Sequence, residues 1–158
     1  VEAMGLADRI FLMRQGRLVQ AGTPEELYKQ PVDAAAARFF SDANEIAGKV
    51  KDRVVHTPLG VFPAPVEVAS AEALVMIRPQ GLNRARQGEG VEGLVTQARF
   101  QGDDVRCSIM FNGIDEPLTA LIDSPSAPPK GQVAWFKVDP QHVFVFESGR
   151  GDPISANT

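Results

Sequence analysis

"LVTQARFQGDDVRCSIMFNG" (Leu94–Gly113) reads as two strands folded back on one another. In its second half Val105, Cys107, Ile109 and Phe111 alternate with Arg106, Ser108 and Asn112, the period-two pattern of a strand with one face in a core. In its first half the same spacing predicts Leu94, Thr96, Ala98 and Phe100 on one face. Gly102-Asp103-Asp104 is turn chemistry and joins the two. The chain's single cysteine, Cys107, falls on the apolar face, which predicts a buried structural thiol. A nucleophilic role would need a His presented beside it, and the pattern offers none.

Working outward, strand-length segments continue in both directions. Toward the C-terminus come "PLTALI", "VAWFKV" and "HVFVFE". Toward the N-terminus lie "ALVMIRP", an apolar run ended by Pro79, and "IAGKVKDRVVHTPLGVFPAP", two or three short strands around a Pro58-Leu59-Gly60 turn. "RARQGEG" and "DSPSAPPKG" read as loops, and "SGRGDPISANT" as a frayed tail. About seven short strands with no long helix predict a small closed or half-closed β-barrel.

Before Asn44 the texture is different. "DRIFLMRQGRLVQAG" is a hairpin signal with Gln15-Gly16 at its tip. Thr23-Pro24-Glu25-Glu26 sets out a helix start: Thr23 to cap, Pro24 at the first helical position, Glu26 to close a capping box. Pro31 stops that helix, and Asp33 can cap a second, "AAAARFF", with Phe39 and Phe40 as its packing surface. The predicted organisation is a short α/β part over 1–44, a mainly β domain over 45–147 and a tail over 148–158. The first part has too few residues to build a full core by itself.

Composition narrows the function. The 158 residues are 44% hydrophobic, enough for a packed core, and carry a net charge of -4. An acidic chain makes a poor partner for a phosphate backbone, so nucleic acid is disfavoured. One cysteine excludes an internal disulfide and fits a reducing compartment. No apolar run reaches the roughly 18 residues of a membrane span, and the first residues lack the basic and apolar regions of a signal peptide. The expectation is a chain of cytosolic type.

Chemistry-bearing residues are sparse. No glycine-rich phosphate loop opens a helix; "GRGD" (Gly149–Asp152) follows the last strand. One Cys and two His far apart give no zinc spacing. His56 and His142 each sit beside a turn, as ordinary edge or surface residues do. Asp103-Asp104 is turn chemistry before it is a cation or acid/base pair. Trp135 and Phe136 must face opposite ways, one into the core and one toward a base, a sugar or a partner subunit. Arg78, ending an apolar strand, can hold an anion or pair internally. No constellation supports catalysis.

"EAMGLADRIFLMRQGRLVQAGTPEELYKQP" closely resembles the segment that follows the switch histidine in ATP-binding subunits of bacterial ABC importers. The match runs through Glu2-Ala3, Leu6-Ala7-Asp8-Arg9-Ile10, Gly16-Arg17, Gln20, Gly22-Thr23-Pro24, Glu26-Leu27-Tyr28 and Pro31. The later strands resemble the accessory TOBE domain of the same subunits, an oligonucleotide/oligosaccharide-fold (OB-like) barrel. The motifs are Ile77-Arg78-Pro79-Gln80, Val138-Asp139-Pro140 and Val143-Phe144-Val145-Phe146. Gln80 stands where the family usually has Glu.

The resemblance implies a C-terminal accessory, regulatory and dimerisation region, most like that of ferric-iron importers. ATP, Mg and the ATPase motifs then belong to the parent subunit, and this chain is expected to have no catalytic, cofactor or metal residue. Arg78 and Gln80 remain candidate anion or structural-motif residues. Implied partners are a second copy and the membrane-spanning permease subunits, with no nucleic acid. The implied location is cytoplasmic, peripheral to the inner membrane. The alternative is an OB-like module that binds a small anion or oligosaccharide.

Overall fold

The computed structural model describes Gly5 and residues 7–148. The matched residues Glu2, Ala3 and Leu6, and the predicted tail beyond Ser148, lie outside them. The chain divides into two compact units, with the boundary between Asp42 and Ala43.

In the first unit, β1 (Ile10–Arg14) and β2 (Arg17–Gly22) form an antiparallel hairpin. Its turn places Gln15 and Gly16 at φ 50° and 74°, the left-handed pair that a two-residue hairpin requires. Helices α1 (Pro24–Lys29) and α2 (Ala34–Phe40) follow. The capping box forms as spaced: the Glu26 N–H donates to Thr23 Oγ1 at 3.2 Å, and the Thr23 N–H to Glu26 Oε2 at 2.8 Å. Asp33 caps α2 by accepting from the Ala36 N–H at 2.8 Å, and the Arg14 guanidinium grips the same carboxylate with two nitrogens.

Leu12, Leu27, Ala36 and Phe40 close a small core of their own. The sequence expectation for α2 needs one correction. Phe40 is buried but Phe39 is 64% exposed, because neighbouring helix positions point about 100° apart.

The second unit, Ala43–Ser148, is mainly β. Its strands are β3 (Asn44–Lys51), β4 (Val54–Thr57), β5 (Gly60–Pro63), β6 (Glu72–Ile77), β7 (Leu82–Ala85), β8 (Val91–Phe100), β9 (Asp104–Phe111), β10 (Leu118–Asp123), β11 (Val133–Val138) and β12 (Val143–Glu147). They pair antiparallel into two five-stranded sheets, ordered β10-β9-β8-β11-β7 and β12-β6-β3-β4-β5. Both sheets feed one core, in which Val75 and Ile77 meet Val95, Cys107, Ile109 and Phe136. These curled sheets make the unit mainly β, as the strand pattern predicts, and agree with the OB-like fold that the TOBE resemblance implies.

The unit holds ten strands where the sequence pattern predicts about seven, and two further details differ from the sequence reading. The loop assigned to "RARQGEG" begins inside β7, a four-residue strand whose Asn83 and Arg84 give no apolar alternation to read. And β8 carries a bulge between Val95 and Gln97. Leu94 pairs with Met110 on the outer face, whereas Ala98 pairs with Cys107 and Phe100 with Val105, in register with the core-facing side of β9 although both stay exposed, Phe100 at 69%. One extra residue flips every later side chain, so the predicted single face of Leu94, Thr96, Ala98 and Phe100 does not exist.

Candidate functional site

The two proline motifs of the sequence meet in space. After β6 the chain runs Arg78-Pro79-Gln80-Gly81 through one 3-10 turn into β7; after β11 it runs Asp139-Pro140-Gln141-His142 through another into β12. Each turn carries the chain from one sheet to the other, since β6 pairs with β12 and β7 with β11. Proline suits both places: it sits at the first turn position, where its fixed φ helps and its missing N–H is not needed.

The two corners are tied reciprocally. The Arg78 N–H donates to the His142 carbonyl at 3.0 Å, and the Asp139 N–H donates to the Gly81 carbonyl at 2.8 Å. A Cβ on Gly81 would collide with the Cβ of His142, so the close approach requires glycine there.

This geometry separates the two residues singled out from sequence. Arg78 is 2% exposed, with its guanidinium 4.7 Å from the centroid of the Phe144 ring. That environment suits a structural residue tying the corner to β12. Gln80, two positions on, is exposed and lines an open cleft of about 330 Å³ with Asn83, Arg84, Asp104, Asp123 and Ser126.

The remaining candidates resolve individually. Cys107 is fully buried, and burial pushes its thiol above the usual range. Phe136 is the core partner of its pair, edge-to-face with Phe111 at 5.7 Å, while Trp135 is half-buried on the outer face opposite Glu92 and Ala85. His56 is exposed on β4, across from Lys49 and Val61. His142 packs on Gly81, and its Nδ1 is buried with no hydrogen-bond partner. Asp103 and Asp104 do turn work: Asp103 accepts from the Ser124 N–H through its carbonyl, and Asp104 from the Gln101 N–H. Among the described residues no cluster of His, Cys, Asp or Glu is set to hold a metal. Sequence reading missed Arg84, because it placed that residue in a loop. In the fold it donates from Nη1 to the Ser126 carbonyl at 2.7 Å and borders the open clefts at the β7 edge of its sheet.

Residues 75–146, which contain both corners, match the family model of the TOBE domain. The chain carries a TOBE domain. Over nearly its whole length it is also similar to ferric-iron import proteins. It is 34% identical over 152 residues to the "Fe(3+) ions import ATP-binding protein FbpC" of Streptomyces coelicolor, covering 96% of this chain and 43% of that protein. The protein of the same name from Pseudomonas fluorescens Pf-5 is 38% identical over 116 residues, 71% of this chain and 33% of its own length. Rhodococcus jostii contributes an "FbpC 1" at 34% identity, covering 72% of this chain and 33% of that protein. The chain therefore spans less than half the length of these curated relatives. Among the described residues no helix is long and apolar enough to cross a membrane.

Proposed function

We propose that this chain is the C-terminal accessory region of the ATP-binding subunit of an ABC importer for ferric iron. One observation carries the reading. Similarity to the ferric-iron import proteins extends through 96% of the chain, so it includes the hairpin and capped helices as well as the TOBE domain. A freestanding binding module would account for the second unit but not for the first.

In this reading ATP, Mg and the hydrolytic residues lie in the parent subunit, and the chain contributes no catalytic group. Its role is mechanical and regulatory. The TOBE domain holds two ATP-binding subunits together on the cytoplasmic face while they engage the permease subunits. The edge strand β12 and the exposed outer-face residues Leu94 and Val133 are the surfaces suited to pairing with the second copy.

A domain exchange tests this. The chain replaces the matching portion of a ferric-iron import ATP-binding subunit, and uptake of radioactive iron is measured in cells lacking the native subunit. Restored, ATP-dependent uptake is the expected result. A correctly folded chimera that assembles with the permease but restores no iron uptake would overturn the substrate assignment. In parallel, calorimetry should detect no ATP binding to the chain by itself; micromolar affinity would remove the assignment of ATP chemistry to the parent.

The alternative reading, a small-anion or oligosaccharide module built on Arg78, is weakened by the burial of that side chain beneath Phe144.

A further inference from the structure

The cationic side chains of this acidic protein are not evenly spread. Arg84, Arg86 and Lys137 line one open cleft of about 570 Å³, together with Glu89 and Ser126. Three positive charges against one negative give the cleft a local excess of +2, in a chain whose net charge is -4. Among the described residues Arg86, Lys137 and Glu89 enter no ion pair, so their charges are not consumed by the fold.

The cleft is built rather than incidental. The bond from Arg84 to the Ser126 carbonyl fixes that guanidinium at the cleft wall, and one bond leaves most of a five-donor fork available. Lys137 is held on β11 opposite Asn83 of β7. The loop that carries Arg86 and Glu89 is closed by the Glu89 N–H donating to the Arg86 carbonyl at 2.9 Å. It is pinned to β11 at Gly90, where a Cβ would run into the Phe136 carbonyl. Two arginines and a lysine held on rigid strands and a pinned loop are suited to phosphate oxygens, which a guanidinium meets in a two-pronged fashion. Asp104 and Asp123 line the neighbouring cleft that shares Arg84 and Ser126, which confines an anion to the Arg86 and Lys137 side.

The geometry points to a binding site for a multiply charged phosphate anion, formed by Arg84, Arg86 and Lys137 at the β7–β11 edge of the TOBE domain. It is distinct from the buried Arg78. Its ligand is a free polyphosphate-type anion or the phosphate of a lipid headgroup.

The test uses the full 158-residue chain and sodium pyrophosphate as the probe, titrated at constant ionic strength while backbone amide signals are followed by NMR. A saturable change is expected, centred on residues 84–90, Ser126 and Lys137, and absent with equivalent sodium chloride. The variant Arg86→Gln/Lys137→Gln alters exposed side chains only, so it should keep the wild-type melting temperature and weaken pyrophosphate binding at least tenfold. Co-sedimentation with phosphatidylglycerol vesicles, displaced by pyrophosphate, assigns the phosphate to a lipid; pyrophosphate binding without vesicle binding assigns it to a soluble ligand. Failure to bind either probe overturns the site, as do signal changes that do not saturate or that persist undiminished in the variant.

Discussion

The carboxamide of Asn44 pairs with the backbone of Thr119 as a neighbouring strand would. Its Nδ2 donates to the Thr119 carbonyl at 2.8 Å, and its Oδ1 accepts from the Thr119 N–H at 2.7 Å. Asn44 opens β3 in one sheet and Thr119 lies in β10, the edge of the other. A single side chain therefore stitches the two sheets where no strand pairing does, and it is 8% exposed while doing so. Asn44→Ala leaves both Thr119 groups without their partners, a loss of about 2 kcal/mol. Asn44→Asp keeps the shape but cannot donate, so it should be at least as harmful near neutral pH. Urea unfolding checks both; a midpoint unchanged in either variant would show that the stitch carries no stability.

Gly88 and Gly90 share the left-handed region, at φ 85° and 91°, but differ in space. Nothing lies within 4 Å of a Cβ built on Gly88, whereas one on Gly90 meets the Phe136 carbonyl. Gly88→Ala should therefore cost only the conformational penalty, about 1 kcal/mol. Gly90→Ala adds a collision with backbone that cannot swing aside, for a total of roughly 3 kcal/mol or more. Comparison of the two melting temperatures is the measurement, and equal losses would refute the role given to the close approach.

Asp33 links acidity to the first unit. Its carboxyl is held below the usual range, chiefly by the hydrogen bond from Arg14, with partial burial opposing and the Ala36 N–H assisting. A depressed value in the folded state means that its contribution is complete above the unfolded value, near 3.9, and is lost as pH falls through the lower folded value. The Ala36 amide signal should follow that titration. Arg14→Ala should move its midpoint upward, toward the ordinary carboxylate value. Asp33→Asn keeps a good cap and should abolish the acid-dependent change. An Ala36 midpoint insensitive to Arg14 would contradict the coupling.

Cys107 should be inert in the native protein, being fully buried with its thiol pushed up by burial. Modification by a thiol reagent should proceed only as fast as unfolding exposes it, and accelerate sharply in denaturant. Cys107→Ser places a hydroxyl among Val75, Ile109 and their neighbours and should cost about 1–3 kcal/mol. Cys107→Ala leaves only a small cavity and should cost less. Rapid labelling of folded protein would contradict the buried placement.

Local signals were legible in the sequence wherever one residue acts on its near neighbours. Thr23 and Glu26 lie three residues apart and form their reciprocal caps; Asp33 caps Ala36 over the same distance; Gln15-Gly16 turns the hairpin. Alternation in "VRCSIMFNG" placed Val105, Cys107, Ile109 and Phe111 in the core because a strand's period fixes its faces. The motif resemblance likewise points to the TOBE domain and to ferric-iron import relatives.

What the sequence hid were relations between residues far apart in it. The bulge in β8 leaves no local mark, since the residues around Thr96 satisfy strand propensity on either register, and only pairing with β9 selects one. β7 is a strand because β11 supplies its hydrogen bonds, not because its own residues demand it. Arg78 and Gln80 stand two positions apart in the chain, yet one turn buries the first against Phe144 and sends the second to solvent. Gathering Arg84, Arg86 and Lys137 into one cleft likewise needs β7 laid against β11. Propensity and period act over a few residues and can be read from the chain; strand partnership and burial are decided by the packing of the whole core, and only the tertiary structure supplies them.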